Sequence, residues 1–184
     1  MRRLLLATGN AHKVAEVQEA LGPDVMVEPH DAGVDETGAT FEENALLKAR
    51  ALAARTGELV VADDSGIEVD HLGGAPGIHS ARWTPEPDWI PRVLRELDGV
   101  PPAARGCRYV CAAAAVWPDG REVVERGTVE GTIADAPRGS GGFGYDPIVV
   151  PVDGDGRTFG EMTPAEKQAI SHRARAFRAL GRHL

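Results

Sequence analysis

No stretch of this chain approaches the ~18 apolar residues that a membrane-spanning helix needs, so no insertion into a bilayer is expected. The nearest approach is Met1-Arg2-Arg3-Leu4-Leu5-Leu6-Ala7, which has the character of a secretory leader. That run is too short, and Thr8-Gly9-Asn10 interrupts it at once. Aromatic residues make up only 5% of the chain, so alanine, valine and leucine have to fill the core. Cysteine is scarce as well. Cys107 and Cys111 are the two thiols. On a single strand they would lie ~13 Å apart, beyond disulfide reach. No CxxC or Cys/His zinc spacing occurs, and a reducing, cytoplasmic setting is the expectation. Basic residues are outnumbered, 20 Lys and Arg against 28 Asp and Glu, for a formal charge of −8. That balance disfavours binding to a nucleic-acid backbone. A small anion or a divalent cation can still be held locally.

What the chain does have is a pair of adjacent acids. Ala62-Asp63-Asp64-Ser65-Gly66 follows the apolar run Leu59-Val60-Val61-Ala62. The run reads as a short buried strand, because it is β-branched and bounded by turn residues. The acids are thus expected where a strand leaves a sheet, the edge at which ligands bind in open α/β folds. If the strand persists, side-chain alternation sends Asp63 and Asp64 to opposite sides, and one of them, not both, faces a site. Metal or catalytic use competes here with an ordinary Asx turn. At 184 residues the chain suits one domain, over 1–184, that buries roughly 70% of its unfolded surface.

Leu4 to Ala7 reads as a first strand, and Val14, Val17 and Leu21 recur at helical spacing after Thr8-Gly9-Asn10. Strand, glycine turn and helix in succession offer backbone N–H groups and a positive dipole end to an anion, with Lys13 in reach. This is not a Walker loop, since no GxxxxGK[ST] is present. An ordinary βα connection is the plainer alternative. Val25 to Val27 is a second strand, and Pro29 to Gly38 a loop. Thr40-Phe41-Glu42-Glu43 is a capping-box pattern that opens a helix to about Arg55, closed by Gly57. Glu43 is then either a cap or a metal ligand at the helix start. Ile67 to Asp70 suggests a further short strand, and Gly73 to Gly77 a loop or moving flap. Pro87 to Leu97 reads as a helix that tolerates Pro91 in its first turn. Cys107 to Trp117, a Pro118-Asp119-Gly120 turn and Glu122 to Val129 make a hairpin, so the sheet is predicted to be mixed. Thr128 to Ile133 either continues the second strand or starts another.

Gly139, Gly141 and Gly144 spell GxGxxG. However, Asp146-Pro147 and the strand-like Ile148-Val149-Val150 follow where a dinucleotide site needs a helix. What remains is a glycine-rich loop presenting Phe143, Tyr145 and Asp146. Phe143 can stack on a flat ring, and Tyr145 either joins it or folds back on the core. Thr163-Pro164-Ala165-Glu166 is a strong helix start. On one unbroken helix Lys167 and His172 would stand ~140° apart. A break near Ser171 would let Lys167, His172 and Arg173 converge; otherwise they form a solvated basic face near a helix end.

In this order, Thr8-Gly9-Asn10-Ala11-His12-Lys13, Phe41-Glu42-Glu43-Asn44-Ala45, Ala62-Asp63-Asp64-Ser65-Gly66, Leu72-Gly73-Gly74-Ala75-Pro76-Gly77, Gly142-Phe143-Gly144-Tyr145-Asp146-Pro147 and Glu166-Lys167-Gln168-Ala169-Ile170-Ser171-His172-Arg173 closely resemble the inosine triphosphate pyrophosphatase family, also called XTP/dITP diphosphatases. The resemblance spans nearly the whole chain. It implies an α/β fold, an elongated mixed β-sheet flanked by helices, with two lobes and the active site in the cleft between them. It implies a Mg²⁺-dependent homodimer that hydrolyses ITP, dITP and XTP to the nucleoside monophosphate and pyrophosphate, cleansing the nucleotide pool. Carried over position by position, Thr8, Gly9, Asn10, Ala11, His12 and Lys13 would bind the triphosphate. Glu43 and Asp64 would hold the metal, Asp64 would also be the base, and Ser65 would touch substrate. Phe143, Gly144, Tyr145, Asp146, Lys167, His172 and Arg173 would hold the nucleoside and its phosphates.

That assignment is chemically coherent. Water attacks the α-phosphorus and pyrophosphate leaves, so Mg²⁺, Lys13 and helix N–H groups meet the charge that builds. Hypoxanthine offers O6 as an acceptor where adenine offers an amino donor. Donors on His172 and Arg173 would set donor against donor with adenine, at ~1–3 kcal/mol per unpaired buried group. This discriminates against ATP but not against GTP. Two departures from the family pattern bear on the lid and the dimer surface: His79 stands where a tyrosine is usual, and Trp83 to Arg105 is short and proline-rich. A nucleotide sensor without turnover and a phosphomonoesterase acting on IMP are the alternatives, and the phosphorus product separates all three.

Overall fold

The computed structural model describes residues 2–85 and 88–184. Pro87, the expected first residue of the Pro87–Leu97 helix, lies outside the described residues together with Glu86.

Strand β1 (Arg2–Ala7) buries Leu4, Leu5 and Leu6 in succession. A run without polar alternation belongs between parallel neighbours with both faces covered, and β1 pairs in parallel with β2 (Val25–His30) and β3 (Val60–Val69). With β4 (Gly106–Val116), β5 (Glu122–Ile133) and β6 (Val149–Pro151), the described residues form a six-stranded sheet of order β2-β1-β3-β4-β5-β6. β5 and β6 run antiparallel, so the sheet is mixed, as the hairpin pattern predicted. β5 continues unbroken through Gly131 to Ile133. β2 runs past Val27 and through Pro29, opposite Leu6, to His30. Proline is tolerated there because β2 is an edge strand.

The largest departure from expectation lies in β3. Ser65-Gly66 does not turn the chain, and the strand runs ten residues, from Val60 to Val69, carrying Asp63 and Asp64 in its middle. Ile67 and Val69 are fully buried beyond the acids. The apolar burial available on that side outweighs the weak turn preference of a Ser-Gly pair. Gly73 to Gly77 then folds back on the strand, with the Val69 N–H donating to Ala75 O at 3.2 Å and a bridge between Glu68 and Pro76.

Helix α1 (Ala11–Leu21) starts at Asn10, whose side chain accepts the N–H groups of His12 and Lys13. Helix α2 (Phe41–Thr56) starts at Thr40, which accepts the Glu43 N–H, and ends at Gly57. Helix α3 (Trp89–Glu96) carries Pro91 in its first turn. Helices α4 (Pro164–Ile170) and α5 (His172–Gly181) are separate, because Ser171 is extended at φ −65° and ψ 151°. The break, one of the two arrangements left open for this segment, is therefore present. Cys107 and Cys111 are buried thiols. No helix among the described residues is long and apolar enough to cross a membrane.

The chain divides into two compact units: Met1–Ser65, Cys111–Gly127 and His172–Leu184 form the first, Gly66–Val110 and Thr128–Ser171 the second. The first has a core of Leu4, Leu6, Val17, Val61, Cys111, Ala113, Ala115, Phe177 and Leu180. The second is built on Ile67, Val69, Leu97, Tyr109, Val129, Ile148 and Phe159. Small residues let the first unit pack backbone on backbone. A Cβ placed on Gly127 would stand 2.1 Å from the His172 carbonyl oxygen. The start of α5, with His172 and Arg173, therefore lies directly on β5.

Candidate active site

In the first unit the alternation of β3 separates the two acids as expected. Asp63 is fully buried, 0% exposed, and turns toward α1 and α5. Its Oδ1 and Oδ2 lie 3.2 and 3.0 Å from Lys13 Nζ, and the Arg173 Nε donates to Oδ2 at 3.2 Å. Asp64, 5% exposed, turns toward α2. It accepts from Asn44 Nδ2 at 3.1 Å and from the Ser65 N–H at 3.0 Å, with Lys48 Nζ at 4.0 Å.

The two neighbours are electrostatic opposites. Burial pushes Asp63 up, but Lys13, Arg173 and Lys48 outweigh it and hold the carboxyl far below the usual carboxylate range. Burial pushes Asp64 up to about 6, and Glu36 adds to the rise; Lys48 and Asn44 offset only part of it. Neighbouring titratable groups driven apart by their surroundings are the kind of arrangement that acid-base chemistry uses.

Glu36 and Lys48 carry a role that the sequence reading missed. The Lys48 ammonium donates to Glu36 Oε1 at 2.5 Å. Burial works against the Lys48 charge, but Asp63, Asp64 and Glu36 outweigh it and raise its pKa. The available signal was periodicity: Phe41, Asn44, Ala45, Ala49 and Leu52 mark the buried face of α2, and Lys48 continues that stripe. Glu36 sits in a loop with no pattern to read. Glu43, expected as a metal ligand, makes a capping contact here: its Oε2 accepts the Ala39 N–H at 2.6 Å. No group of three or more His, Cys, Asp or Glu side chains arranged for a metal occurs among the described residues. Two carboxylates with a cation already drawn to both still suit Mg²⁺, which takes one or two carboxylates and completes its shell with waters and phosphate oxygens.

The Thr8–Lys13 turn is half-buried at Thr8 and Lys13 and exposed between. Thr8 Oγ1 accepts the Asn10 N–H at 3.1 Å, and the Asn10 carboxamide takes the His12 and Lys13 N–H groups. Those two backbone donors, expected to meet an anion, are thus capped from within the turn. Arg173, 1% exposed, donates to Asp63, to Glu16 and, at 2.7 Å, to Ser65 Oγ. Glu16, one turn after Lys13 on α1, was not singled out in the sequence. Arg173 therefore ties α1 and β3 to α5. His172 is buried at the first turn of α5.

In the second unit the glycine-rich loop closes around Asp146. Its Oδ2 accepts the Phe143 N–H at 2.9 Å and the Lys167 ammonium at 2.7 Å, and its Oδ1 accepts the Tyr109 hydroxyl at 2.9 Å. Gly142, at φ +66°, lies so close to this carboxylate that a Cβ would meet Oδ2 at 2.0 Å. Gly144 follows Phe143 at φ +60°. Lys167 Nζ stands 4.5 Å from the centre of the Phe143 ring. Tyr145 folds back on the core, stacked on Trp89 with centroids 5.6 Å apart, its hydroxyl donating to Ser80 O at 2.8 Å. The break before α5 divides the basic residues: Lys167 pairs with Asp146 in the second unit, Arg173 with Asp63 in the first.

Residues 4–183 match the Ham1 family. A dITP/XTP pyrophosphatase of Symbiobacterium thermophilum is 52% identical over 95% of this chain and 91% of its own length. One from Streptomyces coelicolor is 50% identical over 98% and 96%. The Ham1 protein of Staphylococcus aureus has a similar structure, with a TM-score of 0.86, 37% identity, and coverage of 99% of this chain and 97% of that one.

Proposed function

This chain belongs to the Ham1 family, and on that premise we propose that it hydrolyses non-standard purine nucleoside triphosphates, dITP, XTP and ITP, to the nucleoside monophosphate and pyrophosphate. The observation that carries this reading is the opposed treatment of Asp63 and Asp64. Asp63 is a permanent anion that steers Lys13 and Arg173. Asp64, lifted to about 6, is poised to take a proton from the attacking water near neutral pH.

The remaining roles follow from the surroundings. Asp64 and Glu36, rather than Glu43, would hold Mg²⁺, which supplies charge for the phosphate oxygens and acidifies water. Lys13, together with the dipole of α1, receives the triphosphate where Thr8, Gly9, Asn10, Ala11 and His12 form the turn. Ser65, fixed by Arg173, contacts the same phosphates. Lys48 sits beside the acids as a further cation for developing negative charge. In the second unit, Phe143 offers a ring for the purine, with Gly144 beside it, Asp146 and Lys167 holding the loop, and Tyr145 supporting it from the core. In the first unit, Arg173 is engaged by Asp63, Glu16 and Ser65 and holds Ser65 toward the phosphates. The enzyme acts on free nucleotides in the cytoplasm as a homodimer, and its net charge of −8 supports the exclusion of nucleic acid.

The test is the identity of the products from dITP and Mg²⁺, read by phosphorus NMR. Pyrophosphate and dIMP are required. Orthophosphate with dIDP, or binding without turnover, would overturn the reading.

A further inference from the structure

Tyr109 lies in an apolar stretch of β4 and reads, in sequence, as core. Its ring does pack in the core, 5.8 Å from Phe159. Its hydroxyl does something a core residue need not do: it donates to Asp146 Oδ1 at 2.9 Å. We propose that Tyr109 is a positioning residue for the purine-binding loop, acting through Asp146 on Phe143 and Lys167. The proposal rests on the functional reading above.

Asp146 uses Oδ2 for the Phe143 N–H and for Lys167. Both contacts require the carboxylate plane to be held, yet a carboxylate rotates easily about its last torsion. Tyr109, reaching Oδ1 from a strand in the sheet, locks that rotation. The loop is built to accept the lock: Gly142 leaves room for the carboxylate where a Cβ would stand 2.0 Å from Oδ2. The hydroxyl is a constant donor, because burial and the neighbouring Asp146 push the Tyr109 pKa well above its ordinary value. The lock therefore does not titrate in the working range. Its effect falls on where the Phe143 ring and the Lys167 ammonium stand, and so on substrate binding rather than on the water-activating step at Asp64.

Tyr109→Phe keeps the ring against Phe159 and removes only the hydroxyl. A hydrogen bond from a neutral donor to a buried carboxylate is a strong one, and part of its loss reaches the substrate. The expected result is a KM for dITP raised about three- to tenfold, with kcat within about twofold. Amide exchange at the Phe143 segment, measured without nucleotide, should quicken. Leaving the buried Asp146 Oδ1 unpaired lowers the melting temperature by a few degrees in either case, so the deciding readouts are KM and exchange, both of which a purely structural role would leave unchanged. Unchanged exchange at Phe143, or an unchanged KM, overturns the proposal. A wild-type protein that leaves dITP intact would instead remove the functional reading, and the exchange measurement would still decide whether Tyr109 holds the loop.

Discussion

Each unit of the molecule has a buried aspartate with a lysine at hydrogen-bond distance, and the two are built for different ends. Around Asp63 the chain gathers Lys13 and Arg173, with Asp64, Glu36, Glu16 and Lys48 close by. Charges of both signs are packed there beyond simple pairing, a setting that accepts a polyanion and a divalent cation by exchange of partners. Around Asp146 there is one lysine, one tyrosine hydroxyl, one backbone N–H and a set of rings. That carboxylate is an internal anchor that leaves aromatic surface as the main chemistry. Under the proposed function, the first arrangement has the chemistry to hold phosphates and the second offers a ring for stacking.

The strongest way to break this comparison is at Asp64. Asp64→Asn should cost roughly 10²–10⁴-fold in kcat while the protein melts at or above the wild-type temperature, since a carboxyl raised by burial is replaced by a neutral amide. Wild-type turnover in that variant would remove Asp64 from the mechanism. Next comes Asp63→Asn, which leaves Lys13 and Arg173 without their buried counter-charge and should destabilise the fold by about 3–5 kcal/mol. Denaturant unfolding reads this directly, and a stability loss below about 1 kcal/mol would deny Asp63 its structural role.

The two acids should also oppose each other in pH dependence. Asp64 has its pKa raised from 3.8 to about 6, so the metal-free native state holds a proton that the unfolded chain has already lost. Stability contributed there falls as pH rises from about 4 through 6, by about 3 kcal/mol, and Mg²⁺ should restore it. Asp63, held below the ordinary range, contributes stability above the usual carboxylate pKa and loses it as the solution is acidified further. Comparing wild type with Asp64→Asn across pH 4–7 isolates the first slope; equal slopes in both proteins would reject the assignment. The smallest effect belongs to the second unit. Phe143→Ala should raise KM for dITP about tenfold, the scale of one stacked base, with kcat nearly unchanged, whereas a fall in kcat alone would place Phe143 in the chemistry.

Much of the fold was legible because it depends on local rules. Thr40 and Thr163 are caps that chemistry makes readable, while the break at Ser171 was one of two arrangements the sequence left open. The turn expected at Ser65-Gly66 is absent, because burial of Ile67 and Val69 overrode its signal, and Glu43 makes the capping contact that was the plainer of its two expected roles. Glu36 and Lys48 escaped notice because neither has a partner nearby in sequence that reveals its task.

By itself the sequence determined the order of elements, the mixed sheet, the excess of acid and the divergence of Asp63 from Asp64, since these follow from period, composition and side-chain alternation. Only the tertiary structure decided which acid is paired and which is raised, that Glu36 attends Asp64, and that Tyr109 grips Asp146. Those outcomes depend on solvent exclusion and on contacts between residues 28 to 110 positions apart, and no local pattern encodes either.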